Sequence, residues 1–408
     1  MRLLQVTSPE DVLRIIRENF SSLGGETVEI KHAGQRVVGS DVIAPEDVPG
    51  FDRSTVDGYA LRACDSFGAG EAMPALLNLG GEVRMGEAAP HLPLGACIYV
   101  PTGGMIPEGA DAVVMLEDTE VLGDIVNCYR QVAPGENIIR RGEDISRGEV
   151  ILKKGRLLRA PEIGVLASLG ITDLQVTVKP RVGILSTGDE IVPYTTASLP
   201  PGQVRDSNAL AVGELARQKG AEIIYGGILQ DSYEIFKSGV EELLEQVDFL
   251  VLSGGSSVGT RDFTAQVLEE LGKPGLLVEG VAIQPGKPTL LAKCREKPVL
   301  GLPGHPVSAL NIFALFGTAI IDRLLGREEQ EFLATVKARL SKNIPSRTGR
   351  TDFVRVKLSK KDNVTEATPV FGRSGLLRTL ADAQGLVIVP AQSEGVLAGS
   401  EVDVILWE

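Results

Sequence analysis

Phe249-Leu250-Val251-Leu252-Ser253-Gly254-Gly255-Ser256-Ser257-Val258-Gly259-Thr260-Arg261-Asp262 is the stretch on which the fold of this chain turns. Four consecutive apolar residues read as a strand buried on both faces, and the run then breaks into small, flexible, hydroxyl-bearing residues. Glycines let backbone N–H groups approach an anion closely, and the Ser and Thr hydroxyls add further donors. Loops of this kind at the carboxyl ends of buried strands are where open α/β sheets hold ligands. Three comparable stretches lie within about one domain's length. They are Ser186-Thr187-Gly188-Asp189-Glu190, which follows the apolar run Val182-Gly183-Ile184-Leu185, then Gln284-Pro285-Gly286-Lys287-Pro288, and Leu302-Pro303-Gly304-His305-Pro306-Val307-Ser308, which follows Val299-Leu300-Gly301. One such loop is a turn. Four in one domain make a site.

The intervening segments alternate strand and helix. Ser207 opens a helix carrying Leu210, Val212 and Leu215, and Ile223-Ile224-Tyr225 is the next strand. Ser232 caps a helix with Ile235, Phe236, Val240, Leu243 and Leu244 on its apolar side, and a helix of about five turns follows Leu302. Residues 181 to 326 are therefore expected to form an α/β unit with a mainly parallel sheet covered on both faces.

Upstream, Ser8 caps a packing helix with Pro9 at its first position and Val12, Leu13, Ile15, Ile16 and Phe20 on one face, and Gly24-Gly25 ends it. From about residue 26 to 158 short β-like runs broken by Gly and Pro read as one or two small β domains. Ala160 begins another helix, which Gly170 stops. After residue 330 the strand period returns in Ala334–Ala338, Phe353–Val356, Leu386–Val389 and Val402–Leu406, as expected of a separate β barrel or sandwich.

Composition narrows the function. At 408 residues the chain suggests two to four domains, and 43% hydrophobic with 23% charged residues is the balance of a soluble globular protein. No apolar run of about 18 residues and no signal-peptide core are evident, so a cytoplasmic protein without a membrane partner is expected. The net charge of −13 argues against a general nucleic-acid binder, though not against a small anionic substrate. Cys64, Cys97, Cys128 and Cys294 form no CxxC pair and read as buried free thiols.

The loop at 253–262 lacks the Walker lysine and the GxGxxG spacing, so it suits a phosphate or pyrophosphate without matching a nucleoside triphosphate or dinucleotide motif. Asp189, Glu190, Asp231 and Asp262 follow different strands, where they could converge on Mg²⁺, although each alone reads equally as a cap or turn residue. Lys287, on a stiff loop between prolines, is placed to meet an anion or simply to face solvent. Two further motifs lie outside the α/β unit: Phe51-Asp52-Arg53-Ser54-Thr55-Val56-Asp57-Gly58-Tyr59-Ala60, and Pro101-Thr102-Gly103-Gly104-Met105-Ile106-Pro107 with the strand after it. Each alone is turn chemistry.

Taken together, the chain resembles the MoeA-type molybdopterin molybdenumtransferases, the family that includes the E domains of gephyrin and of the plant enzyme. FDRSTVDGYA, PTGGMIPEGADAVV, RRGEDI, STGDEI, SGGSSVGTRD, PGKP, LPGHPVSA and GRTDF occur in the family's order over essentially the whole sequence. The resemblance implies an enzyme of the last step of molybdenum cofactor synthesis. Such an enzyme takes adenylylated molybdopterin and molybdate, hydrolyses the pterin–AMP phosphoanhydride with a divalent cation, and inserts the metal into the dithiolene.

It also implies a homodimer of four-domain chains. The expected domains are a discontinuous linking and dimerisation domain over 1–50 and 140–180, an inserted β domain over 51–139, a MogA-like α/β domain over 181–328 and a C-terminal β barrel over 329–408. The cleft would form at the dimer interface, with transient contact to molybdenum enzymes or to the adenylyltransferase.

Position by position, the resemblance places the pterin phosphate at Ser186, Thr187, Gly188, Ser253, Gly254, Gly255, Ser256, Val258 and Gly259, with Pro303, Gly304 and Pro306 shaping the facing loop. Asp231, Asp262 and Glu190 would hold Mg²⁺. Gln284, Lys287, Arg350 and Ser374 would hold molybdate, and Asp57, Thr102 and Asp144 match residues of the family's cleft and, with Glu190, Asp231 and Asp262, are the expected catalytic residues. One departure stands out. Gln284 and Gly280 occupy positions where many or some members carry lysine, which leaves Arg261, Arg350, Arg373 or Arg378 to compensate, or points to another oxyanion such as tungstate. His305 reads as a loop hydrogen-bonding residue. Two rival functions carry over from the fold: an adenylyltransferase that makes the adenylylated pterin, and a dimeric scaffold without activity.

Overall fold

The computed structural model describes residues 6–254, 258–327, 335–361 and 363–406, with backbone alone for 258–263. The apolar run at 249–252 lies inside a six-stranded sheet. Its elements are β1 Arg181–Thr187, α1 Asn208–Gln218, β2 Glu222–Leu229, α2 Tyr233–Gln246, β3 Phe249–Gly254, α3 Val258–Glu270, β4 Gly275–Glu279, β5 Leu290–Cys294 and β6 Lys297–Leu302, followed by the long helix α4, Pro306–Leu325. Strand order is β2-β1-β3-β6-β5-β4. The first four strands are parallel, and β5 and β4 extend the sheet antiparallel, so the sheet is mainly parallel as the sequence predicts.

Side-chain alternation along the strands supplies two apolar faces, and helices cover both. Phe249, Val251, Leu300 and Leu302 pack with Ile312, Phe313, Phe316 and Ile320 of α4. On the other face Leu250, Leu252 and Val299 pack with Phe236, Val240 and Leu244 of α2 and with Val267 and Leu268 of α3. Phe249 stacks on Phe313 with centroids 6.3 Å apart and planes 5° apart. Among the described residues α4 is the one helix long and apolar enough to cross a membrane by length and composition, and its apolar side chains are used in this core. The N-terminal helix Pro9–Asn19 joins the same core through Val12, Ile16 and Phe20, and the Ser8 hydroxyl caps it by accepting from the Asp11 N–H at 3.1 Å.

Two strand pairs bring distant parts of the N-terminal half together: Gly25–Glu29 with Asp173–Thr177, and Val42–Ile43 with Val150–Leu152. Between them in sequence lies a second six-stranded sheet, all of whose strands fall between residues 58 and 128. Three of the four cysteines are buried and free as expected, but Cys64 is exposed, on a short 3₁₀ turn. Burial pushes the thiol of Cys97 up to about 12 and those of Cys128 and Cys294 up to about 11, so these three are packing groups without nucleophilic character.

The C-terminal strands close on themselves. Thr351–Lys361 pairs with Val364–Pro369 on one side and Gly385–Val389 on the other, while Thr335–Leu340 and Glu401–Leu406 complete a five-stranded barrel. A short strand of the α/β unit, Ile283–Gln284, adds in parallel to Thr351–Asp352 of this barrel. Phe353 and Leu386 leave the barrel surface to join the α/β core. This seam carries one corner of the candidate site described below.

Candidate functional site

β1 connects outward through α1 to β2, and the chain then returns through α2 to β3 on the opposite side of β1. The crevice between the carboxyl ends of β1 and β3 is thus the switch point at which such sheets bind ligands. Ser186 stands opposite Ser253 there, and Thr187 opposite Gly254. A Cβ on Gly254 would lie 2.1 Å from the Thr187 carbonyl oxygen, and its φ is +115°, so only glycine lets the loop leave the sheet at this point. The Ser186 hydroxyl is buried with no hydrogen-bond partner among the described residues, a polar group at the crevice that a bound ligand would satisfy.

Asn208, at the start of α1, ties two of the loops. Its Nδ2 donates to the Ser253 hydroxyl at 3.1 Å and to the Gly304 carbonyl at 2.9 Å. The helix is capped by Asp206, which accepts from the Ala209 N–H at 3.1 Å, whereas Ser207 makes no side-chain capping bond. Ser232 likewise begins α2 without a side-chain cap. Pro303 is buried and Pro306 begins α4, while His305 is exposed just before it.

On one flank the β1 and β2 ends bring carboxylates together. Asp189 accepts from the Asp231 N–H at 3.2 Å. Partial withdrawal from water, and then the negative charges of Asp189 and Glu190, raise the Asp231 carboxyl above its ordinary value, although the side chain still reaches solvent. Among the described residues no three carboxylate, thiol or imidazole groups form a ready metal cage. Mg²⁺ does not need one, because it binds through one or two carboxylates plus phosphate oxygens and water, so this crowded acidic corner fits it. Gly255 and Ser256 lie outside the described residues, as do the side chains of Val258, Arg261 and Asp262, while the backbone of Gly259 is described.

On the other flank the 284–288 loop packs on α4, where Asn311 Nδ2 donates to the Pro285 carbonyl at 3.1 Å. The Val307 N–H donates to the Ser374 carbonyl at 3.1 Å, bringing the Ser374 loop over the start of α4. Arg350 Nη1 donates to Gln284 Oε1 at 3.2 Å, while its Nε and Nη2 reach the two oxygens of Asp352 at 2.9 and 3.4 Å. Lys287 is exposed and, among the described residues, makes no ion pair. Of the other arginines expected to add charge, Arg373 is exposed and Arg378 pairs with Asp382 at 3.6 Å.

A second cluster lies in the N-terminal half. Asp57 Oδ1 accepts from both the backbone N–H of Thr102, at 2.7 Å, and its hydroxyl, at 3.2 Å. The segments carrying them are zipped together by Ser54 and Gly104, and Ile138–Ile139 pairs with Arg53–Ser54 alongside. Asp144 follows on the next turn, its N–H donating to the Val48 carbonyl at 3.1 Å. Among the described residues no hydrogen bond or ion pair joins this cluster to the α/β loops.

Comparison with known proteins places this arrangement. Residues 7–170 match the MoeA N-terminal region (domain I and II), 183–323 a probable molybdopterin binding domain, and 337–407 the MoeA C-terminal region (domain IV). The chain belongs to the MoeA family of molybdopterin molybdenumtransferases. It is 35% identical to the molybdopterin molybdenumtransferase of Bacillus subtilis, over 99% of this chain and 95% of that protein. It is 36% identical to a putative molybdopterin biosynthesis protein of Methanocaldococcus jannaschii over the full length of both. A crystal structure of a molybdopterin biosynthesis MoeA protein from Pyrococcus horikoshii superposes with a TM-score of 0.85 at 32% identity, covering 99% of this chain and 100% of that one.

Within this MoeA chain the structure therefore joins Ser186, Thr187, Ser253, Gly254 and Gly304 around one crevice, and sets Asp231 beside Asp189 and Glu190. It places Gln284 against Arg350 and puts Asp57 against Thr102. Sequence reasoning missed Asn208 and Asp352. Asn208 follows a turn-like Asp-Ser pair and reads as a helix start, and Asp352 sits two residues after Arg350 in a strand.

Proposed function

We propose that this chain inserts molybdenum from molybdate into adenylylated molybdopterin with release of AMP, and that the β1/β3 crevice is where the pterin phosphate sits. The observation that carries this is the Asn208 bridge, which holds the Ser253 loop and the Gly304 loop around the unpartnered Ser186 hydroxyl. Hydroxyls and flexible N–H donors in that crevice suit a phosphate, and the acidic flank suits the cation that accompanies it. Asp231, Glu190 and Asp262 would hold Mg²⁺, which supplies charge neutralisation at phosphate oxygens when bound. Gln284, Lys287, Arg350 and Ser374 hold the oxyanion on the opposite flank, so the incoming metal would reach the substrate from the side away from its bound phosphate.

Among the described residues Asp57 and Thr102 are fixed to each other but not to the α/β loops, which supports a cleft completed by a second copy of the chain, with Asp144 on its rim. The chain is divided accordingly into a linking domain over 1–50 and 140–180, an inserted β domain over 51–139, an α/β domain over 181–328 and a barrel over 329–408. The product passes to molybdenum enzymes in the cytoplasm.

A single-turnover assay with adenylylated molybdopterin, Mg²⁺ and molybdate tests this by following AMP release and metal incorporation together. Coupled release and insertion, both lost in Asp262→Ala, are expected. ATP-dependent transfer of AMP onto molybdopterin, or no reaction with molybdate or tungstate, would refute it.

A further inference from the structure

Arg350 is committed to protein partners before any oxyanion arrives. Asp352, with its side chain only 8% exposed, takes the Nε and Nη2 edge of the guanidinium, and the Ser346 hydroxyl in turn donates to Asp352 Oδ2 at 3.0 Å. Gln284 Oε1 takes one hydrogen of Nη1. A guanidinium offers five N–H donors, so two remain, and Gln284 retains its own Nε2 donors. These are directed donors of the kind that grip a tetrahedral oxyanion. The Arg350–Asp352 pair carries no net charge, which leaves Lys287 as the cation of this loop without an ion-pair partner among the described residues.

We infer that Asp352, oriented by Ser346, is a positioning residue of the oxyanion pocket. It fixes the Arg350 fork and cancels its charge, so this pocket recognises its oxyanion by hydrogen-bond geometry more than by net charge. The inference rests on the placement of the oxyanion at Gln284, Lys287 and Arg350 proposed above. It also gives Gln284 a role of its own, because an ammonium at that position would face a guanidinium, whereas the amide oxygen accepts from it.

The test is the full-length Asp352→Asn variant, which keeps the shape and removes the charge. Steady-state insertion is measured as a function of molybdate at several ionic strengths. With one more uncompensated positive charge, KM for molybdate should fall about threefold at low salt and its salt dependence should steepen. Because the fork is no longer fixed, kcat should fall about tenfold. Asp352→Glu, which keeps the charge but misplaces it, should lower kcat while leaving the salt dependence as in the parent. Should Asp352→Asn fail to fold, Ser346→Ala frees the same carboxylate to swing off the guanidinium, and should lower kcat and also steepen the salt dependence of KM, whereas an unchanged salt dependence overturns the inference. An Asp352→Asn protein with unchanged KM and salt dependence overturns the inference, whether or not kcat falls, since a loss of kcat alone is what a merely structural residue would give. A parent protein that uses no molybdate overturns the pocket assignment itself.

Discussion

Asn208→Ala should loosen both substrate loops with one truncation. The Nδ2 group makes two hydrogen bonds, at 3.1 and 2.9 Å, from a side chain only 8% exposed, so water does not readily take its place. Each neutral bond contributes about 1 kcal/mol net, and a buried partner left unsatisfied costs about as much again or more. Ser253 is 4% exposed, but its hydroxyl can rotate toward another acceptor, and the Gly304 carbonyl is only partly buried. The expected loss is therefore about 2 kcal/mol in the α/β unit. If half of it is expressed as poorer substrate positioning, KM for the adenylylated pterin should rise about fivefold. A chain with several cores does not melt in one step, so amide hydrogen exchange across β1, β3 and α1 is the appropriate stability measurement. Asn208→Asp is the companion variant. It keeps the size but turns an acceptor toward the Gly304 carbonyl, and should be at least as damaging. A loss below about 0.5 kcal/mol with an unchanged KM would show that the loops hold each other without Asn208.

Other expectations follow from single contacts. Gly254→Ala forces a Cβ to within 2.1 Å of a backbone oxygen at φ +115°, so a loss above about 4 kcal/mol or failure to express soluble protein is expected, and near-native hydrogen exchange would contradict it. Asp57→Asn leaves an acceptor for both Thr102 donors, so melting should change little while AMP release falls at least about tenfold, and equal activity would remove the carboxylate from the chemistry. Chelation of Mg²⁺ should stop AMP release, and Asp231→Asn should raise the Mg²⁺ needed for half-maximal release about tenfold, as titration of the cation would reveal. Glu162, buried under Arg159 and Arg156, has its carboxyl pulled from 4.5 down to about 2, chiefly by the Arg159 hydrogen bond. A depressed carboxyl stabilises above its unfolded value. The contribution, at most about 3 kcal/mol and less for the solvent around the two arginines, should thus be complete above pH 4.5 and lost as pH falls toward 2. Hydrogen exchange in Ala160–Ser168 against pH should show this acid limb, and Glu162→Gln should abolish it.

The fold was legible where one local signal sufficed. The run 249–252 is continuously apolar because both faces of β3 are covered, and the glycine that ends it is required by the approach of Thr187. Ser8 reads as a cap and is one, because its partner lies three residues away. Where two local candidates compete, the same reasoning slips: Ser207 and Asp206 both suit the start of α1, and the carboxylate wins. The cysteines divide the same way. Cys97, Cys128 and Cys294 lie on strands, Cys97 inside an apolar run, while Cys64 falls on a turn whose exposure no strand pattern announces.

The candidate site was legible as a list of loops but not as a set of contacts, and the proposed oxyanion corner shows the physical reason. Gln284 and Arg350 are 66 residues apart and meet only because Ile283–Gln284 adds as a strand to Thr351–Asp352. That pairing joins the α/β unit to the barrel, and Phe353 and Leu386 bury apolar surface across the same seam. Neither segment alone holds a pocket: the loop contributes an amide and a lysine, the barrel a guanidinium already matched by Asp352. If the oxyanion binds here as proposed, the donors left for it are those that docking has not used. A change that loosens the seam should therefore weaken oxyanion use even when every residue that touches the oxyanion is kept. Phe353→Ala, which removes apolar contact outside the pocket, should raise KM for molybdate while leaving hydrogen exchange of the β1/β3 crevice as in the parent. If KM stays fixed while the seam amides exchange faster, the corner does not depend on docking, and Gln284 and Arg350 act independently of the strand that joins them.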